Sequence, residues 1–335
     1  MSSSDLPLIV SPVGADTDLR AALEDLRIGR YHATRDLLSR TGGNWALRTS
    51  RSRLLAVGAG EGGVFKTWVD EEPTSADAWM MWGRVLTRAA LTAHRGGRGE
   101  GLVARAVVMA RDACWKAASL LPECPVPWVC LLHLTQLPFD ARYFDPHVRS
   151  HREPWNRLDD PTMIHEGPWP LLAEINWRHP GNREGHHRMR EALWHRGKPG
   201  AAMNYSCWEA AGPQTNPELL MLPIYALMDI YRQRHGGGHG AALRFWQDDG
   251  PASHARRARD GWFAKIPPVQ HAWLSLPDLN HLAHALVACG EDARAVFLAM
   301  GPYATPEPWQ DINTSLGRSY DWTTEFLRVR TSALR

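Results

Sequence analysis

Residues 76–121 read ADAWMMWGRVLTRAALTAHRGGRGEGLVARAVVMARDACWKAASLL. In its two halves, 76–92 and 103–121, apolar residues recur three and four positions apart, which is typical of helices that bury one face. The glycine-rich run 94–101 (HRGGRGEG) separates the halves, and glycine commonly follows the end of a helix. The segment therefore predicts two consecutive helices joined by a short loop.

The same helical spacing extends over much of the chain. It recurs at 19–26, 183–194, 218–231 and 279–289, in segments rich in Ala, Leu, Met and Arg. Alternating strand-like runs are almost absent, and prolines fall between the helical segments. The sequence predicts a protein that is nearly all-α.

Tryptophans around this segment show a period. Trp45 and Trp79 are 34 residues apart, whereas Trp79 and Trp128 are 49 apart, an excess of 15 residues that the glycine-rich run accommodates. Within the unit, the characteristic positions are Trp79, Trp82, Gly83, Leu86, Ala110, Cys114, Ala117 and Pro122. Together they resemble the tetratricopeptide repeat (TPR), a helix–turn–helix unit of 34 residues in which small residues let the paired helices approach closely.

The resemblance implies an α-solenoid of stacked helical hairpins. The unit that begins at Trp128 runs into 138–170, a stretch with six prolines and several aromatic residues, which is too aromatic for a solvated linker. We therefore expect three regions: an N-terminal TPR-like array (1–137), an ordered connecting segment rich in proline and aromatic residues (138–170), and a C-terminal helical array (171–335).

In the TPR proteins that this sequence resembles, the first helix of each hairpin lines a concave binding face. At the equivalent positions of this sequence, the resemblance implies a binding groove. Its residues are Arg84, Arg88, His133, Gln136, His187, Arg188, Glu191, Trp194, His195, His281 and His284. Such a lining of His and Arg suits an acidic peptide, a carboxylate or a phosphorylated ligand through charge-assisted hydrogen bonds. The expected function is a module that binds a protein or peptide and needs no cofactor. The alternative interpretation is that each of these residues lies on an ordinary solvent-exposed helix face and binds nothing.

A second hypothesis arises from the segment 182–195 (NREGHHRMREALWH). Glu184 and His187 form a carboxylate-x-x-His pair that is repeated as Asp278 and His281, and such pairs occur in di-iron helical bundles. These four residues are the alternative metal ligands, for a divalent metal such as iron or zinc. Under this hypothesis the protein is a biosynthetic enzyme with a metal-dependent or acid–base active site. The candidate residues of that site are Glu184, His187, Glu191, His281 and His284. The sequence leaves open whether there is any catalysis.

Composition argues against several classes of partner. The 38 Lys and Arg residues nearly balance 36 Asp and Glu, for a net charge of +2, which is not typical of a dedicated nucleic-acid-binding protein. The longest apolar run, 219–228, is too short to span a bilayer, so no membrane partner is expected. Five cysteines, an odd number without a regular spacing, favour a reducing cytoplasmic location.

Overall fold

The computed structural model describes residues 7–60, 63–144, 167–212, 216–235 and 244–335. Regular secondary structure in these residues is helical apart from two strands of two residues each, β1 (Ile9–Val10) and β2 (Tyr303–Ala304), so the all-α prediction is confirmed. The α-helices, numbered in chain order, are α1 (Thr17–Arg27), α2 (His32–Thr41), α3 (Trp45–Gly58), α4 (Gly63–Glu71), α5 (Ala76–Arg95), α6 (Glu100–Leu120), α7 (Val126–Leu134), α8 (Trp169–Arg178), α9 (Arg183–His195), α10 (Pro199–Ala211), α11 (Leu222–His235), α12 (Asp249–Gly261), α13 (Leu276–Ala288), α14 (Arg294–Met300), α15 (Trp309–Ser315) and α16 (Trp322–Leu334).

Contacts between helices divide the chain into two compact units. The N-terminal unit is Thr17–Ala202, and the C-terminal unit combines residues 7–16 with the described part of Met203–Arg335. The expected division into two helical arrays, 1–137 and 171–335, with the connecting segment 138–170 between them, stays a prediction. Most of the connecting segment, 145–166, lies outside the described residues; before it, Phe144 is fully buried, and after it Trp169 begins α8.

Helices of the N-terminal unit pack in chain order. Helix α1 contacts α2 and α3, α3 contacts α5, α5 contacts α6 and α7, and α7 contacts α8 and α9. Three helices begin at a side-chain cap, in which Asn44, Ser75 and Asn182 accept a hydrogen bond from a backbone N–H of the first turn. These caps satisfy N–H groups that the helix itself cannot pair, and they fix where α3, α5 and α9 begin.

The predicted pair of helices is the long hairpin α5–α6. It turns at Gly96 and at Gly97, whose φ of 65° suits glycine. The two helices approach closely at Gly83, where a Cβ atom would lie 2.9 Å from the sulfur of Cys114 and 3.3 Å from its backbone nitrogen. Only a residue without a side chain allows this crossing.

The C-terminal unit is built around α13. This helix is buried on all sides, and its polar residues Asp278, Asn280, His281 and His284 are buried with the apolar ones. The aromatic side chains of the surrounding core are Tyr231, Trp246, Trp262, Phe263, Phe297, Trp309 and Phe326. The strand β1 pairs with β2 in parallel, with Ile9 opposite Tyr303. Across the described ranges, no helix is both long and apolar enough to cross a lipid bilayer.

Candidate functional site

A two-pronged ion pair joins α5 to α9 in the N-terminal unit. Arg84 donates from Nη1 to Glu184 Oε1 (2.9 Å) and from Nη2 to Glu184 Oε2 (2.8 Å), and both side chains are 6% exposed. The same guanidinium donates through Nε to Ser52 Oγ (3.1 Å) and through Nη2 to the carbonyl of Thr49 (3.2 Å) on α3. Arg84 therefore ties three helices together, with all of its donor nitrogens in use.

Arg188 extends this ion pair along α9. It donates from Nη2 to Glu184 Oε1 (3.0 Å) and from Nη1 to Glu191 Oε2 (2.8 Å). Glu191 also accepts from Nε2 of Gln136 (2.8 Å), whose Oε1 accepts from Arg95 (3.3 Å). The result is a continuous hydrogen-bonded chain, which we call the Arg–Glu network; its members are Arg84, Arg95, Gln136, Glu184, Arg188 and Glu191.

Both carboxylates of the network are ionised at neutral pH. Burial by itself would raise the pKa of Glu184, but the nearby Arg84 and Arg188 hold it well below its usual range. Burial likewise opposes ionisation of Glu191, yet Arg188 and other cationic neighbours lower its pKa to about 2. The site thus combines two ionised carboxylates with the arginines that keep them charged.

Two predicted groove histidines of the N-terminal unit are neutral, and one of them, His133, borders the network. His133 Nε2 lies 3.9 Å from Glu191 Oε2, and burial, with a contribution from Arg188, lowers the pKa of His133 well below its usual value. Burial also lowers the pKa of His187, and the positive charges of Arg183 and Arg190 lower it further. Positive charge therefore surrounds His187 on α9.

The structure places the other groove residues of this unit differently. The guanidinium of Arg88 donates to the carbonyl of Gly60. Trp194 is half-buried and His195 is exposed at the end of α9. Of the groove residues predicted in this unit, five are joined or bordered by the network, namely Arg84, His133, Gln136, Arg188 and Glu191.

A second polar cluster lies in the C-terminal unit. His281 Nδ1 donates to the carbonyl of Pro277 (2.8 Å), which leaves its Nε2 as an acceptor, and that buried atom has no hydrogen-bond partner. The ring stacks on Tyr225 of α11, with centroids 4.1 Å apart. Tyr225 donates its hydroxyl to Asp278 Oδ1 (2.6 Å), one turn before His281. Burial lowers the pKa of His281 to about 3, so the imidazole is neutral.

His284 follows one turn later on the same helix. Its ring lies edge-on between Trp246 (5.1 Å) and Trp309 (5.6 Å), and its buried Nδ1 also has no hydrogen-bond partner. Burial lowers the pKa of His284 to about 4. His281 and His284, predicted as parts of a groove, are thus interior residues of this unit.

The residues of the metal hypothesis belong to different units. Glu184 and His187 are in the N-terminal unit, and Asp278 and His281 are in the C-terminal unit. Glu184 already accepts from two arginines, and Asp278 accepts from Tyr225. Within the part of the chain that the structure describes, no three His, Cys, Asp or Glu side chains come together in a way that could hold a metal ion.

Three residues of these clusters carry no sequence signal. Thr49, Ser52 and Tyr225 contribute through hydrogen bonds to residues 32 to 53 positions away, and nothing in their local sequence distinguishes them. Comparison with known proteins adds no assignment: no protein-family model matches the chain, and no curated protein matches it either.

Proposed function

We propose that the chain is a TPR-like helical-repeat module that binds an acidic peptide on the face of the N-terminal unit formed by α3, α5, α7 and α9. A cytoplasmic location accompanies this proposal as a prediction.

The order of helix packing supports a repeat module. In a TPR-like array the first helix of each hairpin packs on the first helix of the next and lines a shared face. The contacts of α1 with α3, of α3 with α5, of α5 with α7 and of α7 with α9 follow this order. The predicted groove residues Arg84, His133 and Arg188 come from three of these helices. Their common location is what a shared face requires.

The positive charge around His187 carries the proposal. The Arg–Glu network balances Arg84 and Arg188 with Glu184 and Glu191. In addition, Arg53, Arg183 and Arg190 lie near enough to lower the pKa of His187 by their charge. These arginines bring several guanidinium groups together on one part of the unit, and clustered guanidinium groups are suited to binding anionic ligands.

Two of these arginines are within reach of a partner. Arg53 on α3 and Arg183 at the start of α9 are half-buried, whereas Arg190 is buried. Arginine binds carboxylates with two parallel hydrogen bonds, so Asp and Glu side chains of a peptide are suitable ligands. Arg183 also lies in the first turn of α9, where backbone N–H groups favour negative charge.

The proposal is tested with a fluorescently labelled peptide of alternating Glu and Ala, titrated with the protein at low salt. We expect saturable binding that weakens as salt is added, because exposed charges are screened. Changing both Arg53 and Arg183 to Gln removes two positive charges and is expected to weaken binding about tenfold, or about 1.4 kcal/mol.

Arg105→Gln is the matched control, since Arg105 is an exposed arginine on α6. It removes the same kind of charge elsewhere and should leave the affinity unchanged. Equal losses in Arg105→Gln and in the double variant would mean that only net charge matters, which contradicts a defined face. Absence of binding by the folded wild-type protein would contradict the proposal itself.

The enzyme hypothesis has its own test. Metal analysis of the purified protein is expected to find no stoichiometric iron, zinc or manganese, since Glu184 and Asp278 already accept hydrogen bonds from protein groups. A stoichiometric metal that is lost in His187→Ala or His281→Ala would instead favour the enzyme.

A further inference from the structure

A cysteine of α10 and a histidine of α12 meet in the C-terminal unit. The sulfur of Cys207 lies 3.8 Å from Nε2 of His254, within hydrogen-bond distance for a sulfur atom. When the imidazole carries its own proton on Nδ1, Nε2 of His254 accepts the S–H proton of Cys207. A thiol that is hydrogen-bonded to an imidazole is the usual arrangement of an activated sulfur nucleophile.

The pair is open to small molecules. Both Cys207 and His254 are half-buried, and the next residue on α10, Trp208, is 51% exposed. Three other cysteines are buried in the N-terminal unit, namely Cys114, Cys124 and Cys130. Burial shields a thiol from reagents, so Cys207 and the half-buried Cys289 are the two accessible cysteines of the five.

A positive charge stands beside the pair. Arg257 follows His254 by three residues on α12, which places both on the same side of that helix, and its charge acts on Cys207 as well. Arg257 is exposed and forms no ion pair within the described residues, whereas the neighbouring Arg256 pairs with Glu291. Its guanidinium is therefore available to bind an anionic group next to the sulfur.

The protonation states of the pair suit a proton transfer from sulfur to nitrogen. Burial raises the pKa of Cys207, with Arg257 opposing the shift, so the thiol holds its proton at neutral pH. Burial, with a contribution from Arg257, lowers the pKa of His254, so the imidazole is neutral and can take up a proton. Because the thiolate is the nucleophile, a protonated thiol needs a base beside it, and His254 is that base.

We propose that Cys207 and His254 form a site of thiol–disulfide exchange with a small disulfide that carries carboxylates. The sulfur of Cys207 attacks one sulfur of the disulfide while its proton passes to Nε2 of His254. A new S–S bond joins Cys207 to one half of the reagent, and the S–S bond of the reagent breaks. The other half leaves as a thiolate and takes the proton from His254, so Cys207 is oxidised and the released half is reduced.

Arg257 gives the site its preference among disulfides. Its guanidinium pairs with a carboxylate of the reagent and holds the S–S bond near Cys207. The product is a mixed disulfide on α10. The site lies in the C-terminal unit and is independent of the proposed peptide-binding face.

The test compares Cys207 with Cys289 in the full chain. Burial and the negative charge of Glu291 raise the pKa of Cys289 to about 11, although Arg256 opposes the shift, so this thiol is a matched but unactivated control. Oxidised glutathione is added at neutral pH, and mass spectrometry of peptides follows the mixed disulfide at each cysteine over time. We expect Cys207 to react at least about tenfold faster than Cys289.

One pair of variants tests the base. His254→Asn is expected to slow the reaction of Cys207 about tenfold, both with oxidised glutathione and with the uncharged hydroxyethyl disulfide, because the proton of the thiol then has no acceptor beside it. His271→Asn changes another half-buried imidazole of the same unit, whose Nε2 lies 3.1 Å from the carbonyl of Ile266, and should leave the rate at Cys207 unchanged.

A second pair of variants tests the cation. Arg257→Gln should lower the preference of Cys207 for oxidised glutathione over hydroxyethyl disulfide about threefold, whereas Arg256→Gln removes the same charge one residue away and should leave it unchanged. Arg257 is exposed, so this variant keeps the test valid if His254→Asn does not fold. Equal rates at Cys207 and Cys289, or wild-type behaviour of Cys207 in both His254→Asn and Arg257→Gln, would overturn the proposal.

Discussion

Arg84 and Glu184 are 100 residues apart in sequence, and their side chains form two parallel hydrogen bonds of 2.9 and 2.8 Å in the interior of the N-terminal unit. The pair links α5 to α9, and Arg84 also reaches α3 through Ser52. A buried ion pair of this kind adds little net stability compared with apolar residues, but removing one partner is strongly destabilising because the other charge is then left unpaired. We therefore regard it as the contact that fixes the geometry of the proposed binding face.

A double-mutant cycle tests the pairing of Arg84 with Glu184. Arg84→Met leaves Glu184 buried with Arg188 as its cationic partner and is expected to lower the free energy of unfolding by about 3–5 kcal/mol. Arg84→Met combined with Glu184→Leu removes both charges and should cost clearly less than the sum of the single changes. Urea denaturation followed by circular dichroism gives the three values. Strict additivity would show that the two side chains are not coupled.

The close crossing at Gly83 leads to a second prediction. In Gly83→Ala the new Cβ atom meets the sulfur and the backbone of Cys114, so α5 and α6 must separate. We expect a loss of about 1–3 kcal/mol in the free energy of unfolding, despite the better helix propensity of alanine.

Gly101→Ala is the matched control for that substitution. Gly101 lies in α6, and a Cβ atom there meets no atom within 4 Å. Helix propensity alone then applies, and the variant should be more stable by about 0.5–1 kcal/mol. A Gly83→Ala variant with a melting temperature equal to or above that of Gly101→Ala would contradict the close approach of the helices.

The interior histidines of α13 predict how stability depends on pH. His281 and His284 have pKa values of about 3 and about 4 in the folded protein, below the ordinary value of 6.5 that applies to the unfolded chain. Below pH 6.5 the unfolded chain therefore binds protons that the folded chain does not. Each imidazole then lowers the free energy of unfolding by about 1.4 kcal/mol per pH unit, and the loss continues until its folded pKa is reached.

Urea denaturation between pH 7 and pH 4.5 measures this slope. In a variant with both His281→Leu and His284→Leu, the free energy of unfolding should fall less steeply with decreasing pH, because the contribution of these two imidazoles to the slope is removed. The direct check is NMR: the ring signals of His281 and His284 in the folded protein should not titrate above pH 5. Titration of either ring near pH 6.5 would mean that it is not buried as the structure has it.

Helices with a regular apolar pattern were predictable from sequence. Segments predicted at 76–92, 103–121 and 183–194 are the helices α5, α6 and α9, because their apolar spacing and end signals are local properties. The β1–β2 pair has no such signal, since it consists of two residues from each end of the chain that meet only after folding.

The candidate site was predictable only in part. The positions expected to line a repeat groove include Arg84, Gln136 and Glu191. In the structure these residues belong to one hydrogen-bonded network, in which Arg188 connects Glu191 to the rest. Repeat positions alone do not predict that these charged side chains pair with one another inside the unit, because the pairing depends on how α9 packs against α5 and α7. The burial of His281 could not be predicted either, since it depends on helices that surround α13 from distant parts of the chain.

Hydrogen–deuterium exchange with and without the Glu–Ala peptide tests the central claim most directly, because it locates the binding surface on the intact chain. The account predicts slower exchange in α3 (Trp45–Gly58) and at the start of α9 (Arg183–His195), where Arg53 and Arg183 lie. The basic helix α12 (Asp249–Gly261) should exchange at its original rate. Protection confined to α12, or spread evenly over the arginines of the surface, would contradict the account.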